Sequence, residues 1–278
     1  MIFAVSSAFF APIGGWFVNR YGLIPAVRGL FIFGFVVLTA KAIVLYVYSH
    51  ETARGVLRME ETKRRSIVDL LGEYRTVFFE ILHSKPILAA LSLMIITNIY
   101  TTVSGSFWGV LFTTKLGFAD SDISVYVALR SIVMTAGFFL LGPSLTNIRR
   151  FRNPLWMGFG AFFVSQALLV FMPPQSILWL SLSVILEGVA AAFVNPMAES
   201  LLAVSMDSHE RARVTAMVYV ALILVISPFG WIAGQLSAID RSLPFALNMV
   251  LFAIGAALVW WIGRTITFSQ SAQEEAQK

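Results

Sequence analysis

Apolar stretches of about 20 residues, separated by shorter polar segments that contain proline or glycine, recur along the whole chain. An α-helix rises about 1.5 Å per residue, so each stretch is long enough to cross a hydrocarbon core about 30 Å thick. The pattern predicts an all-α membrane protein, a polytopic bundle of about eight transmembrane helices. The predicted spans are residues 2–18, 26–48, 87–112, 122–146, 154–172, 177–200, 213–237 and 243–263.

The longest polar segment, residues 49–85, separates the first two predicted spans from the other six. Its apolar residues between Ile67 and Ile81 recur at spacings of three and four, which is typical of one apolar helix face. We expect an amphipathic helix here that either lies on the membrane surface or packs against the base of the bundle. The predicted organisation is a two-helix unit, a loop, a six-helix bundle and a polar tail, at residues 1–48, 49–85, 86–264 and 265–278.

Lysine and arginine are distributed unequally between the two ends of the spans. Seven lie in the 49–85 segment. If consecutive helices are antiparallel, seven more fall on the same side, namely Arg149, Arg150, Arg152, Arg211, Arg213, Arg264 and Lys278. The opposite side has four, namely Arg20, Arg28, Lys115 and Arg241. Cytoplasmic loops carry an excess of these residues. The sequence therefore predicts a multi-pass protein of the plasma (inner) membrane with a cytoplasmic C-terminus.

Composition narrows the function classes. The chain is 58% hydrophobic and 13% charged, and its net charge of +5 comes from basic residues between spans, so the predicted partner is a lipid bilayer and not nucleic acid. There is no cysteine, and all three histidines lie outside the spans. No spacing suggests a metal site or a serine–histidine pair, so we expect no metal, no cofactor and no catalytic residue. An intramembrane enzyme is therefore disfavoured.

The first two predicted helices resemble the last two. Ala-Pro-Ile-Gly-Gly-Trp at 11–16 parallels Ser-Pro-Phe-Gly-Trp at 227–231, and each is followed by an arginine and a proline that opens the next helix. Such internal repeats are typical of transporter folds and indicate duplicated halves. The prolines remove a backbone hydrogen bond, and the glycines permit close helix approach. The candidate gating or kink residues are Pro12, Gly14, Gly15, Pro228, Gly230 and Gly234, and a static kink is the alternative.

With these motifs in this order, the chain resembles the major facilitator superfamily, in which two six-helix bundles are joined by a long cytoplasmic loop. The two first helices correspond to the family's fifth and sixth, and the other six to its second bundle. Arg149, Arg150 and Arg152 occupy the place of the family's basic loop motif. The resemblance implies a secondary active transporter of a small solute that works by alternating access, coupled to protons or another ion. It also implies that four N-terminal helices are missing, as in a truncated reading frame.

Ionisable residues inside a span are costly and mark candidate functional sites. Arg130 lies eight residues and Glu187 ten residues into helices that both begin on the outer side, a depth of roughly 12–15 Å. Glu187 would carry a coupling proton or contact a cationic substrate, while Arg130 would pair with it or hold an anionic group. The alternative is a structural ion pair. Asn98, which the resemblance places on a cavity-lining helix, is a candidate substrate contact, and Gln166 a candidate interhelical contact.

One further interpretation stays open. The absence of four family helices is also compatible with a membrane bundle that does not transport, either a decayed fragment or an assembly partner for a chain that supplies those helices.

Overall fold

The computed structural model describes residues 2–50, 55–56, 81, 83–141, 152–206 and 211–276. Over these ranges the chain is almost entirely helical and contains no β-strand, which confirms the predicted all-α bundle. The eight long helices are α1 (Ile2–Tyr21), α2 (Leu23–Tyr48), α3 (Lys85–Val110), α4 (Asp122–Leu141), α5 (Arg152–Phe171), α6 (Ile177–Val204), α7 (Arg211–Ile239) and α8 (Leu243–Ala276).

The helix starts follow simple sequence rules. Pro25, Pro86, Pro154 and Pro244 each lie in the first turn of a helix, where the missing N–H has no intrahelical partner to lose. The end of α8 differs from the expectation, because the helix runs to Ala276 through most of the predicted polar tail. Hydropathy marks where an apolar span ends. It does not mark where a helix ends when no proline or glycine interrupts the polar residues that follow.

Seven of the described helices are long and apolar enough to cross a membrane, and α1 is not among them. The prediction of an all-α bundle of about eight transmembrane helices is confirmed: the structure has eight long helices, and seven of them meet this criterion over the described residues. The first helix nevertheless forms where the sequence pattern places it.

Hydrogen bonds between loops show that consecutive helices are antiparallel. The Gln175 N–H, in the α5–α6 turn, donates to the carbonyl oxygen of Leu116, just after α3, over 3.0 Å. Lys115 Nζ lies 2.7 Å from Asp240 Oδ1 in the α7–α8 turn. Three connections therefore meet at one end of the bundle. The end of α3 next to them is a π-helical turn, Leu111–Lys115.

The core lies among α3, α5, α6, α7 and α8. Phe162 and Phe252 stack with ring centroids 4.6 Å apart, and both are fully buried. Ser165 and Ser183 join α5 to α6 by donating to each other's backbone carbonyl oxygen, each over 3.0 Å. Helix α4 packs between α6 and α1, so it connects the two-helix unit to the other six helices.

The predicted close helix approaches are present at one glycine of the four. A Cβ added at Gly15 would lie 2.0 Å from Ser124 Oγ of α4, so only glycine fits this contact. A Cβ at Gly14 or Gly230 would meet no described atom within 4 Å, and one at Gly234 would make an ordinary contact of 3.9 Å with Phe107. A role in close helix packing for Gly14 and Gly230 stays a prediction. Only the geometry of the packed helices decides which glycine faces a neighbour.

Pro12 and Pro228 lie inside helices α1 and α7, which continue through them, and Pro196 occupies an equivalent interior position in α6. A gating role for the first two stays a prediction. The predicted amphipathic helix between Ile67 and Ile81 and the basic residues Arg149 and Arg150 lie, apart from Ile81, outside the described residues. Arg152 begins α5, and its side chain lies outside the described part of the structure.

Candidate functional site

The two predicted mid-span charges form an ion pair. Arg130 Nε of α4 lies 3.0 Å from Glu187 Oε1 of α6. The two side chains differ in exposure, at 38% for Arg130 and 3% for Glu187. A buried carboxylate in the bundle interior is therefore joined to a cation that reaches the surface of the described helices.

The glycine that follows Glu187 allows this pair to form. A Cβ at Gly188 would lie 2.9 Å from the Arg130 carbonyl oxygen and 3.0 Å from the Val133 side chain, so the absence of a side chain brings α6 against α4. Close backbone approach at a small residue is a common way to pack membrane helices. In this chain the close approach occurs at Gly188, next to Glu187, whose carboxylate needs a partner.

Tyr100 of α3 is the third member of the site. Its hydroxyl donates to the same Glu187 Oε1 that faces Arg130. The ring is held by Phe162 of α5 and Phe252 of α8, with centroids 5.0 and 5.1 Å away. Glu187 thus has donors from two helices on one oxygen. Charge-assisted hydrogen bonds of this kind are stronger than those between neutral groups.

The sequence analysis missed Tyr100. A tyrosine in a membrane protein is expected first at the bilayer interface, and the glutamate it contacts is 87 residues further along the chain. The position of Tyr100 along its helix does indicate a polar contact. It lies fifteen residues into α3, far from either end, and a buried tyrosine hydroxyl needs a polar partner. That signal predicts a partner without identifying it.

A second set of buried polar groups extends from Tyr100 into the bundle. Ser104 lies one turn along α3 from Tyr100 and is likewise buried. Asn248 Nδ2 of α8 lies 3.4 Å from Ser104 Oγ and 3.2 Å from Gln166 Oε1 of α5. The interhelical contact predicted for Gln166 is thus present. We call Gln166, Asn248, Ser104, Tyr100 and Glu187 the buried polar chain, and it connects four helices.

Asn98 lies on the opposite side of α3, on an exposed polar face formed with Thr101, Thr102 and Ser106 at helical spacing. Asn98 Nδ2 donates to the Met94 carbonyl oxygen over 2.8 Å, and both threonine hydroxyls donate to the carbonyl four residues earlier. Their oxygens remain accessible as acceptors. Exposed polar groups at membrane depth are disfavoured against lipid tails, so this face suits water or a polar solute.

The loop cluster at the far end of α3 has a different character. Lys115 Nζ donates to Asp240 Oδ1 over 2.7 Å and to Ser242 Oγ over 2.8 Å. The hydrogen bond from Lys115, followed by those from the Ser242 side chain and N–H, holds the pKa of Asp240 well below its ordinary value. Both charged side chains are partly exposed, so the cluster ties two loops together at the bundle surface.

The structure thus brings Arg130 and Glu187 together, adds Tyr100 to them, and places Asn98 on a separate face. Among the described residues, no group of three or more histidine, aspartate and glutamate side chains is positioned to hold a metal ion.

Seven apolar helices and a charged cluster within them define an integral, multi-pass membrane protein of the transporter type. The sequence model of the Major Facilitator Superfamily matches residues 1–228, which is most of the chain, and the chain belongs to this family. The resemblance drawn from the proline-glycine repeat is confirmed. Members of the family are transporters rather than enzymes. No curated protein and no solved structure gives a significant match.

Proposed function

We propose that this chain moves a small solute across the membrane by alternating access, coupled to a proton gradient, with Glu187 as the proton-carrying group. Arg130 pairs with Glu187 when no solute is bound and pairs with the solute when one binds. Asn98 and the rest of the exposed polar face of α3 contact the solute. Pro12 and Pro228, inside α1 and α7, serve the rocking of helices that alternates access.

The unequal exposure of the ion pair carries this proposal. The Arg130 side chain is 38% exposed and that of Glu187 only 3%, so the guanidinium is accessible to a solute while the carboxylate stays in the interior. Water or a solute reaches the guanidinium from outside while the carboxylate stays inside. A solute can therefore break the ion pair by binding to Arg130.

Coupling follows from competition for one cation. Arg130 neutralises either Glu187 or an anionic group of an incoming solute, and binding the solute leaves the buried carboxylate without its cation. An unpaired buried carboxylate takes up a proton because the neutral form is favoured away from water. Tyr100 keeps its hydrogen bond to Glu187 and holds the side chain in place during the exchange. Solute binding and proton uptake then occur together.

The direction of insertion also belongs to the proposal. The excess of lysine and arginine on the side of the 49–85 segment supports a cytoplasmic C-terminus in the plasma (inner) membrane.

The test uses the purified chain in sealed proteoliposomes that contain a pH-sensitive dye. A panel of neutral sugars, amino acids, organic anions and organic cations is added outside under an imposed pH gradient. We expect the solutes that carry an anionic group, which can compete for Arg130, to produce solute-dependent proton movement and accumulation against their gradient. Glu187→Gln, which keeps an oxygen that accepts from Tyr100, is expected to retain solute exchange between equal concentrations and to lose uphill accumulation.

Glu199→Gln is the matched control, because Glu199 is an exposed carboxyl group on the same helix. Its uphill transport is expected to equal that of the unmodified protein. Undiminished uphill transport by Glu187→Gln would eliminate Glu187 as the proton carrier. If no member of the panel moves, the result counts against transport by this chain and favours the non-transporting bundle.

A further inference from the structure

The interior end of the buried polar chain contains two side-chain atoms without a partner. Gln166 and Asn248 are both fully buried, and they contact each other through Asn248 Nδ2 and Gln166 Oε1. Among the residues that the structure describes, Gln166 Nε2 and Asn248 Oδ1 have no hydrogen-bond partner. Buried amide atoms are almost always paired in proteins, so each exception calls for an explanation.

Reorienting the amide groups does not remove the exception. Each amide offers one acceptor oxygen and one donor NH₂ group, and only one oxygen and one NH₂ are used between the pair. If both amides are turned around, Gln166 donates to Asn248 instead, and one NH₂ and one carbonyl oxygen are again left over. The unmatched groups are therefore one donor and one acceptor whichever way the amides are assigned.

We propose that a water molecule binds between Gln166 and Asn248, accepting from Gln166 Nε2 and donating to Asn248 Oδ1. A cation would need acceptors only, and an anion would need donors only, whereas water offers both. The full burial of both amides separates the site from the solute path on the exposed face of α3. The contacts from Asn248 Nδ2, 3.2 and 3.4 Å long, lie at or beyond the long end of the N–H···O range.

The water site lies at the interior end of a series of buried polar groups that leads to Glu187. Asn248 donates toward Ser104 of α3, and Tyr100, one turn away on the same helix, donates to Glu187. The bound water anchors this series on the α5 and α8 side, opposite Arg130. The site is a property of the bundle interior and does not depend on which solute the chain moves.

The test is an electron cryomicroscopy structure of the full chain in a lipid nanodisc, at a resolution that shows ordered waters. We expect a density peak within about 3.2 Å of both Gln166 Nε2 and Asn248 Oδ1. A structure that resolves both amides and shows no peak between them overturns the proposal.

A double-mutant cycle with Gln166→Leu and Asn248→Leu gives a second measurement, by thermal unfolding. Each single change leaves the water and the remaining amide without one hydrogen-bond partner, so each is expected to lower the midpoint of thermal unfolding. The double change removes all the groups that bind the water and is expected to be no less stable than the worse single variant. Additive losses in the double variant would overturn the proposal. Asn98→Leu, which removes an exposed amide, is the matched control and is expected to leave the midpoint close to that of the unmodified protein.

Discussion

The unequal burial of Arg130 and Glu187 predicts that the two residues are not equivalent for stability. Arg130→Met leaves a carboxylate that is 3% exposed with Tyr100 as its remaining donor in the site. Removing one partner of a buried pair typically costs 3–5 kcal/mol of unfolding free energy, and we expect about 3 kcal/mol because the Tyr100 hydrogen bond persists. Glu187→Gln leaves a cation whose side chain is 38% exposed and can be hydrated, so we expect about 1 kcal/mol.

The double variant Arg130→Met with Glu187→Gln removes the buried charge and its partner together. Its unfolding free energy should lie close to that of Glu187→Gln alone, about 2 kcal/mol above that of Arg130→Met. Denaturation in mixed micelles, followed by the fluorescence of the seven tryptophans, measures these differences. Lys41→Met is the control, because Lys41 is exposed on α2 and its removal should change stability by less than about 0.5 kcal/mol. An Arg130→Met variant as stable as Glu187→Gln would refute the assignment of Glu187 as the buried partner.

Two further predictions use contacts away from the pair. Gly15→Ala should lower the thermal unfolding midpoint, because its Cβ would lie 2.0 Å from Ser124 Oγ. Gly14→Ala, in open space one residue earlier, should leave the midpoint unchanged or raise it through higher helix propensity. Equal midpoints for the two variants would contradict the α1–α4 contact. Because the pKa of Asp240 is lowered in the folded protein, the ionised Asp240 contributes stability at every pH above the ordinary aspartate pKa. This contribution is lost as the pH falls through the lowered pKa. The Lys115–Asp240 contact should therefore persist from pH 8 to pH 5. Carboxyl ¹³C NMR should show Asp240 titrating at a lower pH than an ordinary aspartate, and closer to the ordinary value in Lys115→Met. An unchanged titration in that variant would contradict the Lys115 hydrogen bond as the main cause of the lowered pKa.

Local sequence rules were sufficient for the helices themselves. The prolines at the helix starts and the apolar stretches placed the starts of all eight helices within a few residues, because helix formation and membrane insertion depend on properties of each segment alone. The ion pair was also predictable in part. Arg130 and Glu187 are charges at similar depth in two spans, and buried charges need partners.

Lateral packing was not predictable from the same rules. The sequence made Gly14 and Gly15 equivalent candidates for close helix approach, and the rotation of α1 against α4 left only Gly15 in contact. Tyr100 was passed over for the same reason, since its partner is on a helix 87 residues away. Helix rotation and neighbour choice arise from the simultaneous fit of many side chains, which no single segment contains.

The sequence by itself therefore determined the membrane class, the family, the helix positions and the depth of the two buried charges. These follow from hydropathy, proline placement and helical rise, which are properties of each segment. Only the tertiary structure decided that Glu187 is the buried partner and Arg130 the exposed one. It also decided that Tyr100 completes the site and that two amides are left unmatched in the core. Burial and hydrogen-bond partnership depend on which helix faces are turned toward one another, and that is fixed only when the whole bundle packs.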